Sequence, residues 1–401
     1  MLKIRITILF VLVSFCCIAQ YKMSRNQRKV FKEVKETLDY FMSQNEEIPS
    51  MAVNIVKDGE VIFEYYSGFF DEKKSKKANK NTLYKMSSIT KLLISIAIMQ
   101  QVEEGKVNLD DDISKYVGFE IRNPKFSTRI ITVRMLMKHS SSLSNPFPGQ
   151  TIKKLFSLHD ANKLINLEPT IRDILNPKSD IYNPFIWTDH EPGSFFKNSN
   201  LGLTLLGYLI EKVTGEHYTA YAKKNILDPM GMNDSALFHP QLNKDNIAIL
   251  YGRDGSLLPH FNYWFYPIGM LYTSAKDWSK FMLTILNYGK TPEGKQILKR
   301  SSFDQITNIS KPDGTNQLAF GSNIGLIWRE AAINKDWYGH TGNGGGVSHI
   351  TEMNLKGNIG YLIFTNKLGV WQIQPGAPLN KELHEILKKF NLNHHKTKSK
   401  R

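Results

Sequence analysis

Between residues 26 and 44 apolar side chains recur at spacings of three and four, at Val30, Phe31, Val34, Leu38 and Phe41, with lysines and glutamates between them. That spacing predicts a surface helix with one buried stripe. The next stretch, MAVNIVKDGEVIFEYYSGFF (51–70), reads as two strands joined by a tight turn at Asp58 and Gly59. A loop at 71–81 leads into TLYKMSSITKLLISIAIMQ (82–100), whose long apolar run predicts a buried helix rather than a strand. From about 109 to 240 helical segments alternate with long connections. Strand-like alternation returns over 346–366 with a turn around Lys356 and Gly357, and a last amphipathic helix is expected near 379–390. The order predicts an α/β (α+β) fold in two lobes. One is built from about 24–108 and 241–390, and a mostly helical lobe, about 109–240, is inserted into it. No internal repeat interrupts this plan.

The chain has 401 residues, 41% hydrophobic and 22% charged, which are ordinary globular proportions and argue against a fibre, a disordered chain or a membrane channel. Its first residues, MLKIRITILFVLVSFCCIAQ, place Lys3 and Arg5 ahead of an apolar segment from Ile6 to Ile18 and a small residue, Ala19. This is the layout of a secretory signal peptide over 1–19, so the expected location is exported, periplasmic or secreted. An uncleaved membrane anchor and a lipid-modified cysteine are the alternatives. Cys16 and Cys17, the two cysteines of the chain, both lie in this segment, so cleavage after Ala19 would leave no thiol for disulfides or catalysis. The formal charge is +15, or +13 without Lys3 and Arg5. It is scattered over 71–80, the first helix and a basic tail at 391–401, and no basic stretch is interleaved with aromatics as a nucleic-acid motif would be. Weak attraction to an anionic envelope is the more modest reading.

Two S-x-x-K patterns occur, Ser88 with Lys91 and Ser194 with Lys197, so the pattern alone discriminates poorly. Ser88 stands where the long apolar helix begins, and a lysine three residues on shares its helix face. The helix N-terminus favours developing negative charge, and a dry setting lowers a lysine pKa toward the neutral form that can accept a hydroxyl proton. A polar cap on a buried helix explains the same residues without chemistry. The adjacent His394 and His395 lie in the basic tail, and no His-Glu-x-x-His occurs, so neither a metal nor another cofactor is expected.

The company of the motif decides between these readings. TLYKMSSITKLL, LDDDISKYV, ITVRMLMKHSSSL, EPGSFFKNSNLGLTLLGYLIEKVTGE, ILDPMGMNDS, PIGMLYTSAKDWSKFM and WYGHTGNGGG occur in an order that resembles the class C β-lactamase and D-Ala-D-Ala peptidase family of serine hydrolases, over roughly 25–390. The resemblance implies a β-lactamase/transpeptidase-like antiparallel sheet flanked by helices. It also implies that Ser88 is acylated, with Lys91 as proton acceptor, and a small-molecule or peptide substrate, possibly peptidoglycan-derived. The third motif, usually Lys-Thr-Gly, matches His340, Thr341 and Gly342, and the oxyanion donors would be the N–H groups of Ser88 and Asn343.

Three departures qualify the resemblance. The second motif, Tyr-x-Asn, is fixed by Pro192-Gly193 upstream and Leu205-Leu206-Gly207 downstream at Asn198, Ser199 and Asn200, so an asparagine replaces the tyrosine. An amide hydrogen-bonds but exchanges no proton near neutral pH, while Asn200 still matches the residue that contacts the substrate amide. His340 replaces lysine; with a reference pKa of about 6.5 it offers an imidazole for proton transfer but a weaker grip on a carboxylate. Ser142 replaces the glycine of His-Thr-Ser-Gly-Leu, where a perturbed turn is the expectation and no functional conclusion follows. These departures keep a second reading open, a catalytically weak or silent relative that binds peptidoglycan peptides or a protein partner. Finally, NYWFYPIGM (262–270) is a candidate surface for an acyl or aromatic group, with core packing as the alternative.

Overall fold

The apolar stripe of the first helix is buried as its spacing predicts: in α1 (Arg25–Gln44), Val34 and Leu38 are wholly enclosed. The computed structural model describes residues 25–145, 159–310, 323–332 and 334–392. The signal-peptide segment with Cys16 and Cys17, and the tail beyond Leu392 with His394 and His395, lie outside the described residues. β1 (Ser50–Lys57) and β2 (Glu60–Gly68) form the expected hairpin. Asp58 and Gly59 turn it with φ of +50° and +91°, the left-handed pair that matches the twist of the flanking strands.

β3 (Leu83–Lys85) leads through a single 3-10 turn, Ser87–Thr90, into α2 (Lys91–Glu103). Helices dominate the insertion, the longest being α3 (Asn200–Thr214), capped by Ser199, whose Oγ accepts from the Gly202 N–H at 2.9 Å. The chain then returns through β4 (Tyr272–Ser274), which pairs with β3, and α4 (Ala275–Leu286). β5 (Arg329–Glu330), β6 (Trp337–Asn343), β7 (Ser348–Asn354) and β8 (Ile359–Thr365) follow, and α5 (Pro378–Leu392) closes the described chain, two residues beyond the predicted end.

The main sheet has six strands in the order β2-β1-β8-β7-β6-β5, with every pair antiparallel. Its strands sort side chains by period two. Met51, Val53, Ile55 and Ile363 pack with α1 and α5 in one core cluster, whereas Ala52, Val56, Leu362 and Phe364 join the larger cluster containing α2, α3 and α4. Both sheet faces are therefore covered by helices, which is why β1 and β8 are buried along their whole length. β5 pairs with β6 only at Tyr338 and Gly339, so β6 has no strand partner on that side from His340 to Asn343.

For the aromatic run at 263–266 burial decides between the two readings of the sequence in favour of core packing. Trp264, Phe265 and Tyr266 are at most 2% exposed within the larger core, so they offer no surface to a substrate. Four consecutive aromatics carry a large apolar area, and in this chain it goes to the core.

Candidate active site

From Thr82 to Met99 every residue is buried except Ser88. α2 is apolar on all sides and enclosed on all sides, and the 3-10 turn that precedes it is accessible at this one side chain. Backbone strain accompanies it, because the preceding Ser87 has φ +47° in the left-handed region that favours glycine. Several contacts pin the turn. The Met86 N–H donates to Leu271 O at 2.7 Å, Thr90 Oγ1 accepts from the Leu271 N–H, and the buried His349 donates from Nε2 to Lys85 O at 2.7 Å. The Ser88 N–H makes no hydrogen bond to any described residue, which leaves it available as an oxyanion donor.

Lys91 Nζ lies 2.5 Å from Ser88 Oγ. Burial, reinforced by the Arg329 charge, brings its ammonium down to about 7. Near neutrality a large fraction of Lys91 is therefore a neutral amine within hydrogen-bond distance of the serine hydroxyl. The competing pattern has no such geometry: Ser194 Oγ donates to Glu191 O at 2.7 Å, and Lys197 is exposed.

β6 is pressed against the serine turn. A Cβ added to Gly342 would stand 2.3 Å from Met86 O, so only glycine permits this approach. It sets Thr341, Gly342 and Asn343 beside Ser88, with the Asn343 side chain accepting weakly from Ser348 Oγ at 3.5 Å. His340 is buried behind them. Its Nδ1 stands 2.7 Å from Thr341 O, and a carbonyl only accepts, so Nδ1 carries the proton and Nε2 presents a lone pair. That Nε2 has no partner among the described residues. Burial first, then the Arg329 and Lys91 charges, hold His340 well below its ordinary value. Near neutrality its imidazole is therefore still less protonated than the reference pKa of about 6.5 implies.

The second motif is rearranged. Asn198 Oδ1 accepts from Arg329 Nη2 at 2.9 Å, and the Asn200 N–H donates to Asn145 Oδ1 at 2.7 Å. Asn200 Oδ1 is buried without a partner among the described residues, and so is Arg329 Nε. Sequence reasoning missed Arg329, and it missed His139 as a site residue. His139 accepts the Ser199 N–H at Nδ1, which places its proton on Nε2, again unpartnered among the described residues. Arg329 forms no ion pair among those described and acts on Lys91, His139 and His340 alike. It is held there by its neighbours: Trp328 Nε1 donates to Ser95 Oγ in α2 at 3.0 Å, and Ile327 turns the chain at φ +76°, a strained value for a β-branched residue.

The assembled site thus offers a nucleophile with an adjacent amine, two imidazoles of opposite tautomer and a guanidinium bonded to an amide and lying over the Phe196 ring. It suits acyl transfer. Among the described residues no group of His, Cys, Asp and Glu is placed to hold a metal, and no helix is long and apolar enough to cross a membrane.

A family model described as Beta-lactamase matches residues 34–382. The chain is 27% identical over 350 residues to Protein flp of Staphylococcus aureus (strain N315), covering 85% of this chain and 63% of that protein. It is 28% identical to Beta-lactamase-like protein 2 of Dictyostelium discoideum, covering 76% of this chain and 53% of that one. The chain therefore spans less than two thirds of the length of these curated relatives. Among solved structures, the octameric penicillin-binding protein homologue from Pyrococcus abyssi superposes with a TM-score of 0.71 at 25% identity, covering 90% of this chain and 78% of the other. A class C β-lactamase superposes at 0.67 and 18% identity, covering 91% and 96%, which speaks to the fold.

Proposed function

Since the chain belongs to the β-lactamase family, whose members are generally serine hydrolases, we propose that it hydrolyses an amide or ester carbonyl through an acyl-enzyme on Ser88. The observation that carries the reading is the accessible Ser88 Oγ at 2.5 Å from the buried, low-pKa Lys91 amine. Neutral Lys91 takes the hydroxyl proton as Oγ attacks the carbonyl carbon, and the Ser88 and Asn343 N–H groups receive the oxyanion. Lys91 then returns the proton to the departing amine or alcohol. Hydrolysis of the ester on Ser88 requires a base for water, and the unpartnered Nε2 lone pair of His340 is the candidate. Candidate substrates are a β-lactam, a D-Ala-D-Ala-like peptide or a small ester. Export is part of the proposal, supported by the apolar segment behind Lys3 and Arg5.

The second reading, a silent relative that binds peptidoglycan peptides or a protein partner, is favoured by one observation: Asn198 is bonded to Arg329 and supplies no phenol. Turnover of a panel containing an activated ester and a penicillin by wild type and Ser88→Ala separates the two. Loss of turnover in Ser88→Ala supports the hydrolase, and turnover that survives in it removes Ser88 as nucleophile. A wild type inactive on every member supports the silent relative.

The pH dependence has a definite sign. Lys91 acts only as the neutral amine, so kcat/KM should rise with pH through a limb near its folded-state value of about 7. Arg329→Gln removes a repelling charge, raises the Lys91 pKa and should move the limb upward, with lower activity at pH 7. Arg329→Lys should keep the limb in place. A limb that stays near 7 in Arg329→Gln would show that Arg329 does not position this titration.

A further inference from the structure

The first and last helices of the described chain lie antiparallel. Lys389 of α5 forms an ion pair with Glu33 of α1, and Thr37 Oγ1 donates to Glu382 at 2.9 Å, so the first turns of α1 sit beside the last turns of α5. Phe31 stacks on Phe63 of β2, which sets those turns toward the Asp58-Gly59 end of the sheet. The strand registers fix where that end is. Lys57 pairs with Ile359, Ile359 with Asn354 and Asn354 with Trp337, whereas Met51, Thr365, Ser348 and Asn343 form the opposite row. Strands of this length hold the two rows about 20 Å apart. The paired helix ends therefore stand far from the cleft and its oxyanion donor.

Charge is sorted along the same axis. Arg25, Arg28 and Lys29 in the first turns of α1 are exposed and form no ion pair among the described residues, and the same holds for Lys335, just before β6. Further along the two helices the lysines are neutralised by neighbours, Lys32 by Glu36, Lys35 by Asp39 and Lys388 by Glu385. Exposed Glu60, beside the turn, offsets one of the unpaired cations, while Glu46 and Glu47 follow α1 at its other end. In sequence the basic run continues outward from both helices: Lys22 precedes α1, and Lys396, Lys398, Lys400 and Arg401 follow α5.

We infer that this end of the molecule is a docking surface for an anionic lipid bilayer, with the cleft end held toward the solvent. The inference stands apart from the Ser88 hydrolase reading. Its occupant is argued from charge and from chain connection, because the apolar segment from Ile6 to Ile18 leads into α1 and the basic run leads out of α5 at this one end. An apolar segment and a basic patch acting together hold a protein firmly at a lipid surface, and the patch alone gives a weaker, salt-sensitive contact. A surface for nucleic acid would offer aromatic rings to the bases. At this end Phe31 and Trp337 are buried in the core instead.

The test is partitioning of the full chain onto vesicles of phosphatidylcholine alone and of phosphatidylcholine with phosphatidylglycerol, read as the ratio of the two so that any contribution of residues 6–18 cancels. A basic residue near an anionic surface is worth about fivefold, so the ratio is expected to reach about 10² and to fall toward one at high salt. The triple variant Arg25→Gln, Arg28→Gln and Lys29→Gln should lower it by about tenfold or more, with thermal unfolding unchanged because all three side chains are exposed. The control is Lys73→Gln, Lys77→Gln and Lys80→Gln, in the exposed loop after β2, whose last residue Gly68 pairs with Ser50 at the cleft end. It removes the same charge and should leave the ratio as it is. A ratio near one in the wild type, a ratio that survives the α1 substitutions, or an equal loss in the loop variant overturns the surface. Binding to soluble polyphosphate without a preference for anionic vesicles overturns the lipid assignment.

Discussion

Lys91→Met is expected to lower kcat/KM for an activated ester by about 10²–10⁴-fold, the usual worth of a positioned proton acceptor. The substitution keeps the length of a buried side chain and removes a cation from a dry site, so the fold should be retained or slightly stabilised. Thermal unfolding alongside kinetics separates the two effects. The limb near pH 7 should vanish with the amine that titrates there. Near-wild-type turnover in Lys91→Met would leave Ser88 without its proposed base, and His340 Nε2 would then be the group to examine.

Gly342→Ala should cost about 10²-fold in kcat/KM, although it adds a single methyl. The new Cβ would meet Met86 O at 2.3 Å and His349 Cδ2 at 3.3 Å. Met86 O already accepts the Ile89 N–H inside the serine turn, so neither backbone can yield without disturbing the other. β6 must back away, carrying the Asn343 N–H off the oxyanion, and displacements of about 1 Å are enough for losses of this size. The loss should fall on kcat more than on KM, because the donor acts on charge that develops in the transition state. Equal effects on both, or an unchanged rate, would show that β6 does not set the oxyanion geometry.

Much of the fold is legible in the sequence because local periodicity and tertiary burial agree. The stripe of α1, the Asp58-Gly59 turn and the apolar run of α2 each demand one kind of neighbour, and the sheet provides it. Ser88 and Lys91 are legible because S-x-x-K meets the start of a helix that is apolar on every face. Asn198 and Asn200 could be placed because fixed anchors flank them.

Arg329 could not be placed in that way. It sits in a two-residue strand, and its importance arises from packing that Ile327 and Trp328 impose across a long sequence separation. A lone cation in the apolar text IGLIWREA was the only available signal. His139 lies in the turn text HSSSL, which carries no sign of its role, and the Ser199 contact shows that its Nδ1 accepts and its Nε2 carries the proton. The aromatic run at 263–266 is compatible in sequence with a ligand surface or with core packing, and burial assigns Trp264, Phe265 and Tyr266 to the core.

The account turns on acylation of Ser88, and the most direct measurement is mass analysis of wild-type protein quenched during reaction with p-nitrophenyl octanoate and with a penicillin, followed by peptide mapping. The account predicts a mass gain equal to the acyl group with at least one of them, confined to the peptide carrying Ser88 and absent from Ser88→Ala. An adduct on another residue, an adduct that persists in Ser88→Ala, or no adduct and no turnover with either substrate would contradict it.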